Sequence, residues 1–290
     1  MEIINNLLFS SLSALVARTL THPLDTIKTR TQFATTEATK AILRTKGLFN
    51  GLGVTLLFSV PGTAVYLTAY DELKTWFGRE GSMLSSDSLL VHALSGGIAE
   101  AVSGIFWTPM EVLKTKMQTG VSASGRRVGD DVKMNSLRLA RDIVREQGVT
   151  GLYRGYLLSQ SVFIPYTVVY FSTYEKLKKM SLRIFHNNDK TRQLSFGNYV
   201  ACASASGAIA GAISNILDVV KTRVQVTSAK STVEVIRNLW INEGGPIAFT
   251  KGMFARIMWV TPSMAISISV YELLKNNWSP FTHERIKKIN

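Results

Sequence analysis

The stretch Pro23-Leu24-Asp25-Thr26-Ile27-Lys28-Thr29-Arg30-Thr31-Gln32 decides the fold. Met once, it is the charged end of an apolar helix. It returns as Pro109-Met110-Glu111-Val112-Leu113-Lys114-Thr115-Lys116-Met117-Gln118 and as Ile216-Leu217-Asp218-Val219-Val220-Lys221-Thr222-Arg223-Val224-Gln225. Each copy carries an acid, a base three residues later, a second base two further on and a closing glutamine. The acids are 86 and 107 residues apart. A pattern repeated at this spacing marks tandem structural units rather than a chance match.

Working outward, each copy closes a long apolar stretch. Six candidate spans emerge: 5–31, 52–77, 88–117, a fourth entered at Tyr153-Arg154-Gly155, 195–225 and 254–277. The even spans end differently, on Tyr70-Asp71-Glu72-Leu73-Lys74, Tyr174-Glu175-Lys176-Leu177-Lys178 and Tyr271-Glu272-Leu273-Leu274-Lys275. Pro61, Pro165 and Pro262 each stand ten residues before the acid of their span, a second and independent sign of threefold repetition. Between the spans of each pair, 33–47, 133–147 and 230–242 alternate polar and apolar residues as surface helices do. The expected architecture is an all-α membrane protein of six transmembrane helices in three two-helix repeats, 1–87, 88–193 and 194–290, forming one structural domain.

Composition agrees. The 290 residues are 46% apolar with a mean hydropathy of +0.13, yet carry 33 basic side chains and a net charge of +13. That is too apolar for an ordinary soluble protein and too charged for plain apolar spans; a membrane protein with a polar interior satisfies both. The bases recur at helix ends and loops, which suits anionic lipid rather than nucleic acid. Cys202 is the only cysteine, so neither an intrachain disulfide nor a cysteine-rich metal site is expected, and no metal or cofactor is expected. The chain opens on Ile3, Ile4, Leu7 and Leu8 with no Arg-rich presequence, so any import signal is expected to be internal. Phosphate loops, nucleophile elbows and zinc spacings do not occur, which argues against an enzyme.

The repeated charges suggest a mechanism. Asp25, Glu111 and Asp218 can pair with Lys28, Lys114 and Lys221 of neighbouring repeats as a ring closing one end of the bundle, with Gln32, Gln118 and Gln225 as braces. Asp71, Glu175 and Glu272 with Lys74, Lys178 and Lys275 form a second ring at the other end, supported by Tyr70, Tyr174 and Tyr271. Exposed pairs contribute roughly 0–1 kcal/mol each, and sealed ones more, a size that closes a gate a solute can still open.

These motifs resemble the signature of the mitochondrial carrier family, proline-x-acid-x-x-base-x-base followed by glutamine, and the resemblance covers nearly the whole chain. It implies a monomeric carrier of the inner mitochondrial membrane. The first ring would face the matrix, the second ring and both termini the intermembrane space, with cardiolipin as an anionic lipid partner. Ile216 departs from the pattern by replacing the third proline. The first repeat, with Lys46-Gly47 and Asn50-Gly51, lacks the acid and base that usually flank this loop.

Residues that break the repeat are candidates for reading the solute. Arg18 has Gly104 and Gly211 as equivalents, Glu100 stands alone in its span, and Arg256 matches Thr55 and Ser159. His22 matches Thr108 and Asn215. The family's contact positions, about thirteen residues before the closing acids, map to Phe58, Val162 with Phe163, and Trp259. Val162-Phe163 matches none of the family's usual fourth-span pairs. Two arginines, a glutamate and aromatic walls suit a small zwitterion with an apolar part. Phe58 through Gly62 and Arg256 through Trp259 resemble S-adenosylmethionine carriers. Val60 through Asp71, and Ala255-Arg256 through Ile266, also resemble carriers linked to glutathione and manganese. The expected function is transport of an amino-acid-derived zwitterion such as S-adenosylmethionine. The rivals are a glutathione- or metal-linked carrier and a non-transporting membrane adaptor on the same scaffold.

Overall fold

The computed structural model describes residues 2–34, 46–78, 89–126, 128, 134–186, 195–227 and 231–287. Among these, the chain forms eight α-helices: α1 (Glu2–Phe33), α2 (Leu52–Phe77), α3 (Leu89–Thr119), α4 (Ser136–Gln147), α5 (Tyr156–His186), α6 (Phe196–Val226), α7 (Thr232–Asn242) and α8 (Met253–Lys287). Six are long. The shortest of these has 26 residues, about 39 Å at 1.5 Å per residue, enough to cross a hydrocarbon layer of about 30 Å. The expected surface helices at 133–147 and 230–242 are α4 and α7; the one at 33–47 falls largely outside the described residues.

Among the described residues, three segments, Leu52–Phe77, Phe196–Val226 and Gly245–Asn277, are long and apolar enough to cross a membrane by length and composition alone. The remaining long helices, α1, α3 and α5, carry their charge on selected faces. In α3, Leu94, Ile98, Val102 and Ile105 form an exposed stripe at helical spacing, while Ser95, Ala99 and Ser103 on the neighbouring face are buried. Apolar outside and polar inside is the arrangement lipid imposes on a bundle with a wet interior.

The six long helices close into a ring. Each even-numbered span in the series packs on the next repeat's first span: α2 on α3, α5 on α6, and α8 back on α1. The first spans α1, α3 and α6 also touch one another, which draws one end of the bundle together. That narrowing depends on close approach where each second span begins. Gly51, Gly155 and Gly252 all have positive φ, between 74° and 84°. A Cβ at Gly252 would sit 2.6 Å from Gln32 Cγ, and one at Gly51 would sit 3.1 Å from the Lys114 backbone. Only glycine meets both demands.

The two surface helices seal that end. Asn135 caps α4 by accepting from the Leu137 and Arg138 amides at 2.9 and 3.3 Å, and Ser231 caps α7 by accepting from Glu234 N at 3.2 Å. Leu139 and Ile143 of α4 pack with Met110, Leu113 and Met117 of α3, and Val235 and Leu239 of α7 pack with Val219, Val220 and Val224 of α6. The second base of each signature then ties one repeat to the next. Arg30 Nε donates to the Gln118 carbonyl at 2.9 Å, Lys116 Nζ to Val226 at 3.1 Å and Arg223 Nε to Gln32 at 2.8 Å. Each fills a carbonyl that a helix C-terminus leaves unpaired.

Candidate functional site: a charged cavity above an ion-pair ring

The signature helices turn their charges inward at the narrowed end, and three ion pairs close there. Lys28 Nζ lies 2.6 Å from Asp218 Oδ2, Lys114 Nζ 3.0 Å from Asp25 Oδ2, and Lys221 Nζ 2.7 Å from Glu111 Oε2. Every lysine reaches the acid of the preceding repeat, counted around the ring. The glutamines follow the same rule. Gln32 Nε2 donates to Asp218 at 2.7 Å, Gln118 Nε2 to Asp25 at 3.0 Å and Gln225 Nε2 to Glu111 at 3.4 Å. Each acid is thus held by a lysine and a glutamine one helical turn apart on one neighbouring helix.

Above the ring lies a cavity of about 450 Å³. Its floor is the ion-pair ring; its walls include Arg18, Glu100, Trp107, Phe163, Tyr166 and Trp259. Arg18 rests over the Trp107 ring at 4.8 Å, and Lys28 over Trp259 at 5.3 Å. Arg18 and Glu100 both face the cavity, yet neither takes part in an ion pair among the described residues. Gln160, also on the wall, has a buried Nε2 with no hydrogen-bond acceptor among the described residues. Charges left unpaired in such a place await a partner that the protein itself does not supply.

The pairing ring, the six long helices and the inward charges all point one way, and sequence comparison agrees. A model of the family described as mitochondrial carrier protein matches residues 1–81, 85–184 and 192–281. The chain belongs to the mitochondrial carrier family. Among its relatives, mitochondrial substrate carrier family protein E of Dictyostelium discoideum is 29% identical, over 93% of this chain and 94% of that protein. The mitochondrial aspartate-glutamate transporter AGC1 of Saccharomyces cerevisiae is 30% identical over 93% of this chain, which spans 31% of that longer protein. Mitoferrin of Dictyostelium discoideum is 31% identical over 88% of this chain and 87% of that protein. The protein is accordingly a solute transporter of a mitochondrial membrane.

At the opposite end this carrier is open. Among the described residues, Asp71, Lys74, Glu175, Lys178, Glu272 and Lys275 form no ion pairs, and Asp71 and Glu175 are exposed. The adjoining tyrosines do not support that ring in this state. Each turns instead to the first span of the following repeat. Tyr70 Oη lies 2.6 Å from His92 Nδ1, Tyr174 stacks edge-on with Tyr199 at 6.0 Å, and Tyr271 Oη donates to Asn6 Oδ1 at 3.3 Å.

The expected solute contacts divide. Arg18, Glu100, Val162, Phe163, Arg256 and Trp259 line the cavity. Phe58 does not: it packs against the apolar cluster around Val54, Met110 and Leu113, beside Trp107. Gly62 lets Trp107 press onto α2, since a Cβ there would come within 2.8 Å of the indole, and Phe58 lies in the same apolar group. His22 is an anchor rather than a wall. Its Nε2 lies 3.0 Å from the Asn50 carbonyl, and its equivalent Asn215 donates to the matching Lys251 carbonyl at 3.3 Å. Sequence reading missed Trp107, Gln160 and Tyr166. Trp107 was recoverable: seven residues after Glu100 and four before Glu111, it shares their helical face.

Proposed function

We propose that this carrier moves a small amino-acid-derived zwitterion, of which S-adenosylmethionine is the leading candidate, across the inner mitochondrial membrane by alternating access. The observation that carries this reading is the pair of unpaired opposite charges, Arg18 and Glu100, on one cavity wall system bounded by aromatic faces. A solute carboxylate suits Arg18, a solute ammonium suits Glu100, and an apolar or aromatic portion suits Trp107, Phe163 and Trp259. Gln160 Nε2 adds a neutral donor. A cavity of about 450 Å³ is of the size small metabolites occupy. The aspartate-glutamate transporter among the relatives is named for amino acids, which favours the same class.

The ion-pair ring acts as the matrix gate, closed in this structure, and the charges at the mouth act as the cytoplasmic gate, open. The open mouth and both chain ends then face the intermembrane space, and the protein works as a monomer with cardiolipin at its matrix-side surface. Similarity to mitoferrin favours a second reading, transport linked to metal homeostasis. Against it, the described residues contain no group of three or more His, Cys, Asp or Glu side chains placed to hold a metal ion. A non-transporting adaptor would have no need of a complete set of gate charges.

The test is exchange in proteoliposomes loaded with S-adenosylmethionine, glutathione, aspartate, a dicarboxylate or phosphate. Saturable uptake of S-adenosylmethionine, weakened by Arg18→Gln and by Glu100→Gln, supports the zwitterion reading. Uptake of phosphate or dicarboxylate alone rejects it.

A further inference from the structure

The open mouth is threefold in its tyrosines but not in what lies one turn below them. Beneath Tyr70 and Tyr174 stand Tyr66 and Tyr170, each five residues after the proline of its span. They stack on the mouth tyrosines, with ring centroids 6.3 and 6.2 Å apart. In the third repeat the same register, beneath Tyr271 and five residues after Pro262, holds Ser267. A serine leaves the space that a ring fills in the other two repeats, and a pocket of about 330 Å³ opens there.

The pocket stands on the solute's path. Ser267 and Ile268 line it, and Ser263 and Met264, one helical turn earlier, line the main cavity, so the two share one face of α8. Ser10 of α1 and Tyr199 of α6 close its sides. Tyr174 meets Tyr199 edge-on at 6.0 Å. Tyr271 and Glu272 complete the lining. Asp71 and Glu175 are exposed, whereas Glu272 is half-buried, and among the described residues its carboxylate forms no ion pair. With the mouth open, the gate does not engage this acid. A carboxylate partly withdrawn from water beside two tyrosine rings attracts an organic cation.

We propose that this pocket is an entry station for the cationic end of the solute, an ammonium or sulfonium on an apolar body, occupied before the solute reaches Arg18 and Glu100. This deepens the zwitterion reading above and takes the solute's class from it. The cation sits among Glu272, Tyr199 and Tyr271, and the apolar body lies against Ile268. Tyrosines fill the equivalent space in the first two repeats, so loading is confined to the third repeat's side of the mouth.

The test reads the pocket's charge preference without any solute. In the Cys202→Ser background, Ser10→Cys places one thiol in the pocket wall, and the protein in lipid nanodiscs is labelled with two methanethiosulfonates, one bearing trimethylammonium and one bearing sulfonate. Relative to their rates with free cysteine, the cationic reagent is expected to react roughly tenfold faster than the anionic one, as an acid-lined cleft concentrates cations. Glu272→Gln should erase the preference, and Ser267→Tyr, which restores the ring of the other repeats, should slow both reagents. Asp71→Asn, at the exposed equivalent with no such pocket, should leave most of the preference in place. If Ser267→Tyr does not fold, Glu272→Gln, which keeps the volume, decides. No preference in the parent, or its equal loss in Asp71→Asn and Glu272→Gln, overturns the proposal. S-adenosylmethionine exchange supplies the separate arm. If the parent exchanges it, Ser267→Tyr should raise KM with kcat little changed, and an unchanged KM overturns the station. If the parent does not exchange it, the zwitterion reading fails, and the labelling preference still decides whether the pocket takes a cation.

Discussion

Asp218 shows how unequal the three acids are. Its carboxylate is shared by Lys28, Gln32 and Arg256, so reversing one pair leaves the third partner in conflict. Among the described residues, Asp25 carries no such third cation. The double reversal Asp25→Lys with Lys114→Asp should therefore recover much of the transport lost in either single change. The reversal Lys28→Asp with Asp218→Lys should not, because Arg256 would then face a lysine. Exchange rates of the four singles and two doubles in proteoliposomes check this. Equal recovery by both doubles would mean that Arg256 does not grip the ring. Arg18 and Glu100 act on the solute instead. Each neutralising change is expected to raise KM roughly tenfold, a loss of about 1.4 kcal/mol, with melting temperature little changed because neither charge forms an ion pair among the described residues.

Among the helices, the points of closest approach carry the sharpest consequences. Gly252 combines a φ of 74° with a Cβ position 2.6 Å from Gln32 Cγ, so Gly252→Ala strains the backbone and displaces a brace at once. We expect a loss of about 1–3 kcal/mol, seen as a lower melting temperature, together with slowed exchange. Gly97→Ala, with open space at its Cβ, should be stable and active. An identical melting temperature for both would remove the role assigned to the close approach. Much of this level was readable in the repeats. A period-conserved acid, base and glutamine must occupy equivalent places on equivalent helices, so their shared end of the bundle follows from the sequence. What the sequence withheld is rotation and contact between helices. Phe58 has the right register for the cavity but joins the apolar group around Trp107. Arg256 was visible as an outlier, but its grip on Asp218 depends on how tightly α8 lies against α6. The tyrosines at the mouth were tied to a ring by sequence proximity, whereas in the open state they reach across to His92, Tyr199 and Asn6.

The bundle as a unit has one end sealed by ion pairs and, among the described residues, none at the other, which is one half of a transport cycle. Sealing one end and opening the other are coupled, because α2, α5 and α8 each start at the ring and finish at the mouth. If the carrier cycles, the mouth must close when the ring opens, and a bundle that cannot close its mouth cannot transport. The decisive measurement is exchange of S-adenosylmethionine by the Cys202→Ser protein with cysteines at Lys74 and Glu175, before and after oxidation to a disulfide across the mouth. Solute is expected to speed disulfide formation, the oxidised protein to stop exchanging, and reductant to restore exchange. A fully cross-linked protein that exchanges at the reduced rate would contradict alternating access through this cavity.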